Sequence, residues 1–146
     1  MMPNIHLSAV AIIAAIVAQF ILGFLWYGPL FGKVWMRELG KPADYKPNSG
    51  DMTRAMVIQL ISSFLVAFVM SHSLNVWRPS VWMAGPDGSA AGYGFMSGFF
   101  TWIGFFVPLL LAGVAYEGKS WKLFGINASY YFVSLQAVGM IIAFWG

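Results

Sequence analysis

The sequence predicts an all-α integral membrane protein, a bundle of four transmembrane helices forming one domain over residues 1–146. Three observations carry that prediction. Only 9% of the residues are charged and 60% are hydrophobic, whereas a soluble domain carries about a quarter charged residues. Four apolar runs, Ile5 to Tyr27, Thr53 to Trp77, Tyr93 to Tyr116 and Leu123 to Trp145, each reach the roughly 20 residues that a helix needs to cross a hydrocarbon core. Inside these runs the sole Asp, Glu, Lys or Arg is Arg54, next to an end. The 18% aromatic content and the length of the runs also exclude a disordered chain.

The first run, expected as a helix over 5–27, has no basic segment ahead of it and outlasts the roughly 7–15 residues of a signal-peptide core, so it reads as a retained span. It stops at "FLWYGPLFGKVW". Trp26 and Tyr27 suit the headgroup level, where an amphipathic ring keeps a polar tip in water. Gly28-Pro29 is expected to break the helix, because proline lacks an N–H and clashes with a continuing turn. Phe31, Trp35 and Leu39 then recur at four-residue spacing with Lys33 and Arg37 between them. One apolar and one basic stripe predict a short helix over 31–39 lying in the membrane interface. Gly40 ends it, "KPADYKPNSGD" is a loop, and Asp51 or Thr53 can cap the second helix, over 53–77.

The third helix, 93–116, contains Pro108, whose ring displaces the carbonyl of Gly104, four residues earlier, so a kink is expected there. Either a static bend or a hinge fits, with Thr101 or a neighbouring helix satisfying the freed carbonyl. The fourth helix, 123–145, carries "INASYYFVSLQ". Asn127, Tyr130 and Ser134 share a stripe, with Tyr131 and Gln136 elsewhere. Such side chains usually pair across helices, and Gln19 and Gln59 are candidate partners. The alternative is a polar-lined substrate path. Small residues, Ala11 with Ala15, Ala14 with Ala18, and Gly94-x-x-x-Gly98, make ridges for close helix contact within or between chains.

Charge sets an expected orientation. The connection after the first helix, with its edge, holds Lys33, Arg37, Lys41, Lys46 and Arg54, and that after the third holds Lys119 and Lys122; the other side has only Arg78. Short Lys/Arg-rich loops stay cytoplasmic, so loops 28–52 and 117–122 are expected inside and both termini outside. Gly32-Lys33-x-Trp35 and Gly118-Lys119-x-Trp121 echo one another. Either two similar helical hairpins descend from a duplication, or Lys and Trp simply fix a helix end at the inner interface.

With no cysteine, disulfides, thiolate metal sites and Cys nucleophiles are excluded. His6 and His72 fall near the same membrane face, accompanied by Met1, Met2, Met70 and Met83. They are the residues on which a haem or copper role would rest, although their spacing matches no ligand motif. The plainer reading has His72 hydrogen-bonded to Ser71, Ser73 or Asn75. No cofactor is predicted.

"LWYGPLFGKVWMRELG" together with "YEGKSWKLFGINASYYFVSL" resembles a bacterial four-helix membrane protein family, domain of unknown function 1761, over nearly the whole chain. Its motif positions fall on Trp26, Tyr27, Pro29, Phe31, Gly32, Lys33 and Trp35, and on Glu117, Trp121, Asn127 and Tyr130. The resemblance implies a bacterial inner-membrane protein and carries over no catalytic residue.

The function expected is non-enzymatic: a small membrane protein working through helix association, as a homo-oligomer or as an accessory subunit of a larger membrane complex. Its partners are the lipid bilayer and other protein helices, not nucleic acid. A transporter or pore formed between subunits is the alternative. Proton coupling would need an embedded carboxylate, and Glu117 sits at a helix end where Lys119, Lys122 or Arg54 can pair with it. A haem- or copper-binding protein comes third, and no Ser-His-Asp set, carboxylate pair or phosphate loop supports an enzyme.

Overall fold

A computed structural model describes residues 2–146. Helix α1 spans Ala9–Leu25 and runs on as a π-helical turn over Trp26–Leu30; α2 spans Gly32–Glu38 and α3 spans Ser49–Val76. Helix α4, Ala90–Thr101, passes through a second π turn, Trp102–Phe106, into α5, Val107–Glu117, and α6 spans Trp121–Trp145. Four stretches are long and apolar enough to cross a membrane: Ala9–Leu30, Ser49–Val76, Ala90–Glu117 and Trp121–Trp145. Together they make the four-helix membrane bundle that the apolar runs predict. Backbone amides and carbonyls find partners inside each helix, as they must where no water can reach them.

Side chains start the helices locally. Ser8, Asn48, Ser89 and Ser120 each accept a backbone N–H of the first turn of α1, α3, α4 and α6. Asn48 rather than Asp51 or Thr53 therefore caps α3; the Thr53 hydroxyl bonds back to Ser49, and the helix begins four residues before the expected 53. The first helix begins at Ala9, leaving His6 in the exposed segment ahead of it. Pro29 does not break α1 outright. The ladder widens into a π turn around it, and the helix ends at Phe31, whose N–H reaches back to Trp26. Pro108 behaves similarly: the turn ahead of it is π-helical, which removes the clash by the recognised route of a local insertion. At two ends a left-handed residue is required. Gly40, at φ +75°, follows α2, and Gly118, at φ +68°, closes α5, the usual place for glycine after a helix.

The fourth span, α6, is the centre of the bundle and packs against every other helix. Its closest neighbour is α4. A Cβ added at Gly94 would stand 2.9 Å from Met140 Sδ and 3.0 Å from the carbonyl oxygen of Gly139; one at Gly98 would stand 2.9 Å from the carbonyl oxygen of Leu135. The Gly94-x-x-x-Gly98 ridge is thus spent within the chain, on α6. Along α1, Ala11 and Ala15 are buried, while Ala14 and Ala18 are only half-buried. Ala15, Ala67, Met70, Leu74, Leu135, Val138 and Ile142 form the core between α1, α3 and α6. The two hairpins are not packed alike, since α6 is central and α3 peripheral. The Gly-Lys-x-Trp echo likewise joins unlike structures: Gly32 is the first residue of α2, buried under Tyr27, whereas Gly118 is a left-handed cap.

At the end of the bundle that carries both termini, Asn4 N–H bonds to the Val81 carbonyl and ties the leading segment to the α3–α4 loop. Arg78 donates to Asn75 Oδ1 (2.9 Å) and to the Ala143 carbonyl at the end of α6 (2.6 Å), where a cation also meets the negative end of the helix dipole. Asp87 accepts from the backbone N–H and the hydroxyl of Ser80 at 2.9 and 2.8 Å, with Arg78 4.0 Å away.

Two predictions follow from this packing. Gly94→Ala is expected to destabilise the protein by about 1–3 kcal/mol through overpacking. Gly125→Ala, where nothing lies within 4 Å of the new Cβ, is expected to leave the melting temperature in detergent unchanged or slightly raised. The Ser80 backbone and hydroxyl bonds, with Arg78 beside them, hold the Asp87 carboxyl below its ordinary value of 3.8. That stabilisation is fully present above the ordinary value and lost as pH falls through the lowered one. Melting temperatures of wild type and Asp87→Asn should therefore converge as the pH is taken from 6 to 2.5, with wild type the more stable at pH 6.

Candidate functional site

The two stretches that carry the family resemblance meet on the α1–α6 seam, near the end of the bundle away from the termini. Trp26 opens the π turn of α1, and its indole N–H reaches both the Ile126 carbonyl and Ser129 Oγ at 3.1 Å. Tyr27, the next residue, donates its hydroxyl to Asn127 Oδ1 at 2.6 Å. Its ring stands edge-on to Trp35 of α2 and to Tyr130 of α6, with centroids 5.0 and 5.2 Å away. Tyr130 in turn donates to the Gln19 carbonyl, 3.2 Å away. Gln19 is buried and sends its amide to the carbonyls of Ala15 and Ser63, which joins α1 to α3.

Local geometry explains why these residue types stand here. The wider π turn around Pro29 rotates Trp26 and Tyr27 toward α6. Gly32 lets α2 fold back beneath them, since a Cβ there would lie 2.7 Å from the Tyr27 carbonyl oxygen. Trp35 then packs on Tyr27, while Lys33 and Arg37 stay exposed at the surface. In hydrocarbon an unpaired phenol or indole is expensive, and here Trp26, Tyr27 and Tyr130 each end on an oxygen.

Glu117 lies beside this α1–α6 clasp of Trp26, Tyr27, Asn127 and Tyr130, with its carboxylate 3.1 Å from Lys119 Nζ; both are largely exposed. With Gly113, Leu123 and Asn127 they line a small cavity of about 150 Å³. Trp121 stands apart, 67% exposed, its ring edge-on to Phe124. Pro108 is the second residue of α5 and joins no polar cluster among the described residues. The Thr101 hydroxyl bonds to no described residue, so it does not satisfy the carbonyl that Pro108 frees. Of the two expected amide partners, Gln19 meets the fourth helix through its backbone carbonyl alone. Gln59 bonds only within α3, to Ser63 Oγ, because α6 is far from that part of α3.

His6 and His72 are not joined. His72 lies edge-on to Phe68, centroids 4.9 Å apart. Ser71, Ser73 and Asn75 all turn instead to carbonyls of their own helix. No group of three or more His, Cys, Asp or Glu side chains able to hold a metal ion occurs among the described residues.

Sequence reasoning missed Trp102. It opens the second π turn as Trp26 opens the first, and its indole donates to the Ala128 carbonyl of α6 at 2.8 Å. The signal was present in a shared Trp-x-Gly, at Trp26-Tyr27-Gly28 and Trp102-Ile103-Gly104. Ser129, the second acceptor of Trp26, was also missed.

The clasp is expected to behave as stabilising structure. Tyr27→Phe leaves Asn127 Oδ1 unpaired and should cost about 0.6 and at most about 1.7 kcal/mol, the range for hydrogen bonds between membrane helices. Trp26→Phe, which forfeits the indole donor shared by two acceptors, should cost at least as much. Unfolding equilibria in mixed micelles measure both, and in a double-mutant cycle the effects of Tyr27→Phe and Asn127→Leu should be non-additive.

Residues 10–143 match the family model described as protein of unknown function, DUF1761. Over 73 residues the chain is 32% identical to a UPF0591 membrane protein of Schizosaccharomyces pombe, an overlap covering 50% of this chain and 48% of that one. The chain thus spans about half the length of the curated relative it matches. No solved structure matches it. With four membrane-spanning helices and a match running through all of them, the chain is a membrane protein belonging to the DUF1761 family.

Proposed function

We propose that the protein is a non-enzymatic component of a cytoplasmic membrane that acts through helix association, as a homo-oligomer joined along the first half of α3. The carrying observation is the exposure of that half. From Ser49 to Ser62 every residue is exposed, whereas Ser63, Ala67, Met70, Ser71 and Leu74 further along are buried. The stripe that buries Ser63 and Ala67 continues at the same four-residue spacing into Gln59 and Ala55 with nothing to cover it. An amide at that depth, bonded only to Ser63 Oγ of its own helix, is the kind of group that draws membrane helices together.

Copies inserted with the same orientation hold Gln59 at the same depth, so a two-fold axis along the membrane normal brings the two amides face to face in an isologous contact. The basic residues Lys33, Arg37, Lys41, Lys46, Lys119 and Lys122 gather at the end where this half of α3 begins, and that end is assigned to the cytoplasm. The termini then face outward. Proton-coupled transport is disfavoured by the positions of the carboxylates: Glu117 and Asp51 stand at helix ends, and Asp87 in a loop.

Because the chain has no cysteine, engineered thiols report contacts against a clean background. Ala55→Cys should form a disulfide-linked dimer on oxidation of intact membranes, and Val17→Cys, on the exposed face of α1, should not. Gln59→Leu should weaken the dimer about 3- to 20-fold, the equivalent of about 0.6–1.7 kcal/mol. Equal cross-linking at the two sites, or none at Ala55, would defeat the proposal.

A further inference from the structure

Between α3 and α4 lies a cleft of about 490 Å³ lined by Ser73, Leu74 and Trp77 on one side and by Tyr93, Met96, Ser97, Phe100, Thr101 and Phe105 on the other. It opens beside Trp77 and Tyr93 at the termini end of the bundle and runs along α4 to the π turn, about 18 Å at 1.5 Å per residue. That length exceeds half the roughly 30 Å hydrocarbon core. The volume falls in the range of small-molecule sites, which combine apolar and aromatic walls with a few polar groups.

Those polar groups distinguish the cleft from a lipid-filled crevice. The hydroxyls of Ser97 and Thr101, one helical turn apart, bond to no other described residue. By contrast Ser71, Ser73 and Ser129 each donate to a carbonyl of their own helix. At the mouth, Tyr93 accepts the Gly88 N–H at 3.2 Å and keeps its own proton free. The Trp77 indole, 76% exposed at the same mouth, has no partner among the described residues. An unanswered hydroxyl in hydrocarbon is costly, and two on one wall, a single turn apart, call for a guest with an oxygen of its own.

The geometry points to a binding site for an elongated apolar molecule carrying a hydroxyl or carbonyl oxygen, which enters from the bilayer between α3 and α4. Its apolar body lies against Leu74, Met96, Phe100 and Phe105, and its oxygen meets Ser97 and Thr101. The site uses the second half of α3 and is separate from the stretch assigned above to self-association.

The test is photolabelling of the full-length protein in phosphatidylcholine nanodiscs with a long-chain alcohol bearing a benzophenone, adducts being mapped by mass spectrometry. Adducts should concentrate on Ser73–Trp77 and Tyr93–Phe105. Excess hexadecanol should reduce them about tenfold, and hexadecane, the same chain without oxygen, should leave them unchanged. Ser97→Ala with Thr101→Val should abolish that difference. Thr101→Val alone, nearly isosteric, should narrow it, with the melting temperature confirming that each variant is folded. Adducts spread equally over the lipid-facing α1 residues Val10, Ile13 and Val17 would overturn the site. So would competition by hexadecane as strong as by hexadecanol, or wild-type discrimination surviving in the folded double variant.

Discussion

The backbone of α4 runs against the backbone of α6 at Gly94, Gly98 and Gly139, and much of the remaining arrangement depends on that crossing. Three missing side chains allow the two helices to approach until carbonyl oxygens nearly touch α-carbons, the geometry that membrane helices use where the hydrophobic effect gives no drive toward association. Once α4 leans on α6, Trp102 comes within reach of the Ala128 carbonyl. The opposite side of α4 is correspondingly drawn away from α3. The cleft between α3 and α4 is the geometric complement of the glycine contact, with large side chains such as Phe100 and Phe105 forming its wall.

A second constraint is the satisfaction of polar groups in hydrocarbon. The spans contain indoles, phenols and amides but no charge away from their ends, and several of these groups bond to backbone oxygens of another helix. Trp26, Trp102 and Tyr130 all do so, and Gln19 links α1 to α3 in the same manner. Carbonyls have a second lone pair to offer without leaving the helical ladder, so α6 accepts two indoles and remains straight. Gln136 fits less well: its amide nitrogen reaches the Phe95 carbonyl, while its oxygen is buried without a partner among the described residues.

The spans were legible because length and the absence of charge need no partner to be read. The end of α1 was legible only in part, since Pro29 acts on its own turn but widens it into a π turn that carries the helix to Leu30 instead of breaking it. What the residues did not reveal is pairing. Gly94 and Gly98 announce a close contact, yet whether another chain or Gly139 fills it depends on which helices are adjacent, which no local pattern encodes. The π turns at Trp26 and Trp102 were invisible because one inserted residue shifts the 3.6-residue period too little to see in all-apolar sequence. Asn48 was passed over as a cap because Asp51 and Thr53, equally able by type, stand closer to the apolar run. Of the stripe Asn127, Tyr130 and Ser134, the first two meet α1, through Tyr27 and a backbone carbonyl of Gln19, rather than the side-chain amides of Gln19 and Gln59.

The two halves of α3 differ in kind. Its second half is anchored through the Gln19–Ser63 bond, the core around Ala67 and Met70, and the Arg78 tie to the end of α6. Its first half, residues 49–62, is exposed throughout. The helix is nonetheless one 28-residue rod without proline, and among the described residues its mid-span polar bond to another helix is the one at Ser63. The bonds and packing at Ser63, Ala67, Met70 and Arg78 fix the second half against α1 and α6, so one stiff helix presents a held wall to the cleft and an uncovered face at its other end.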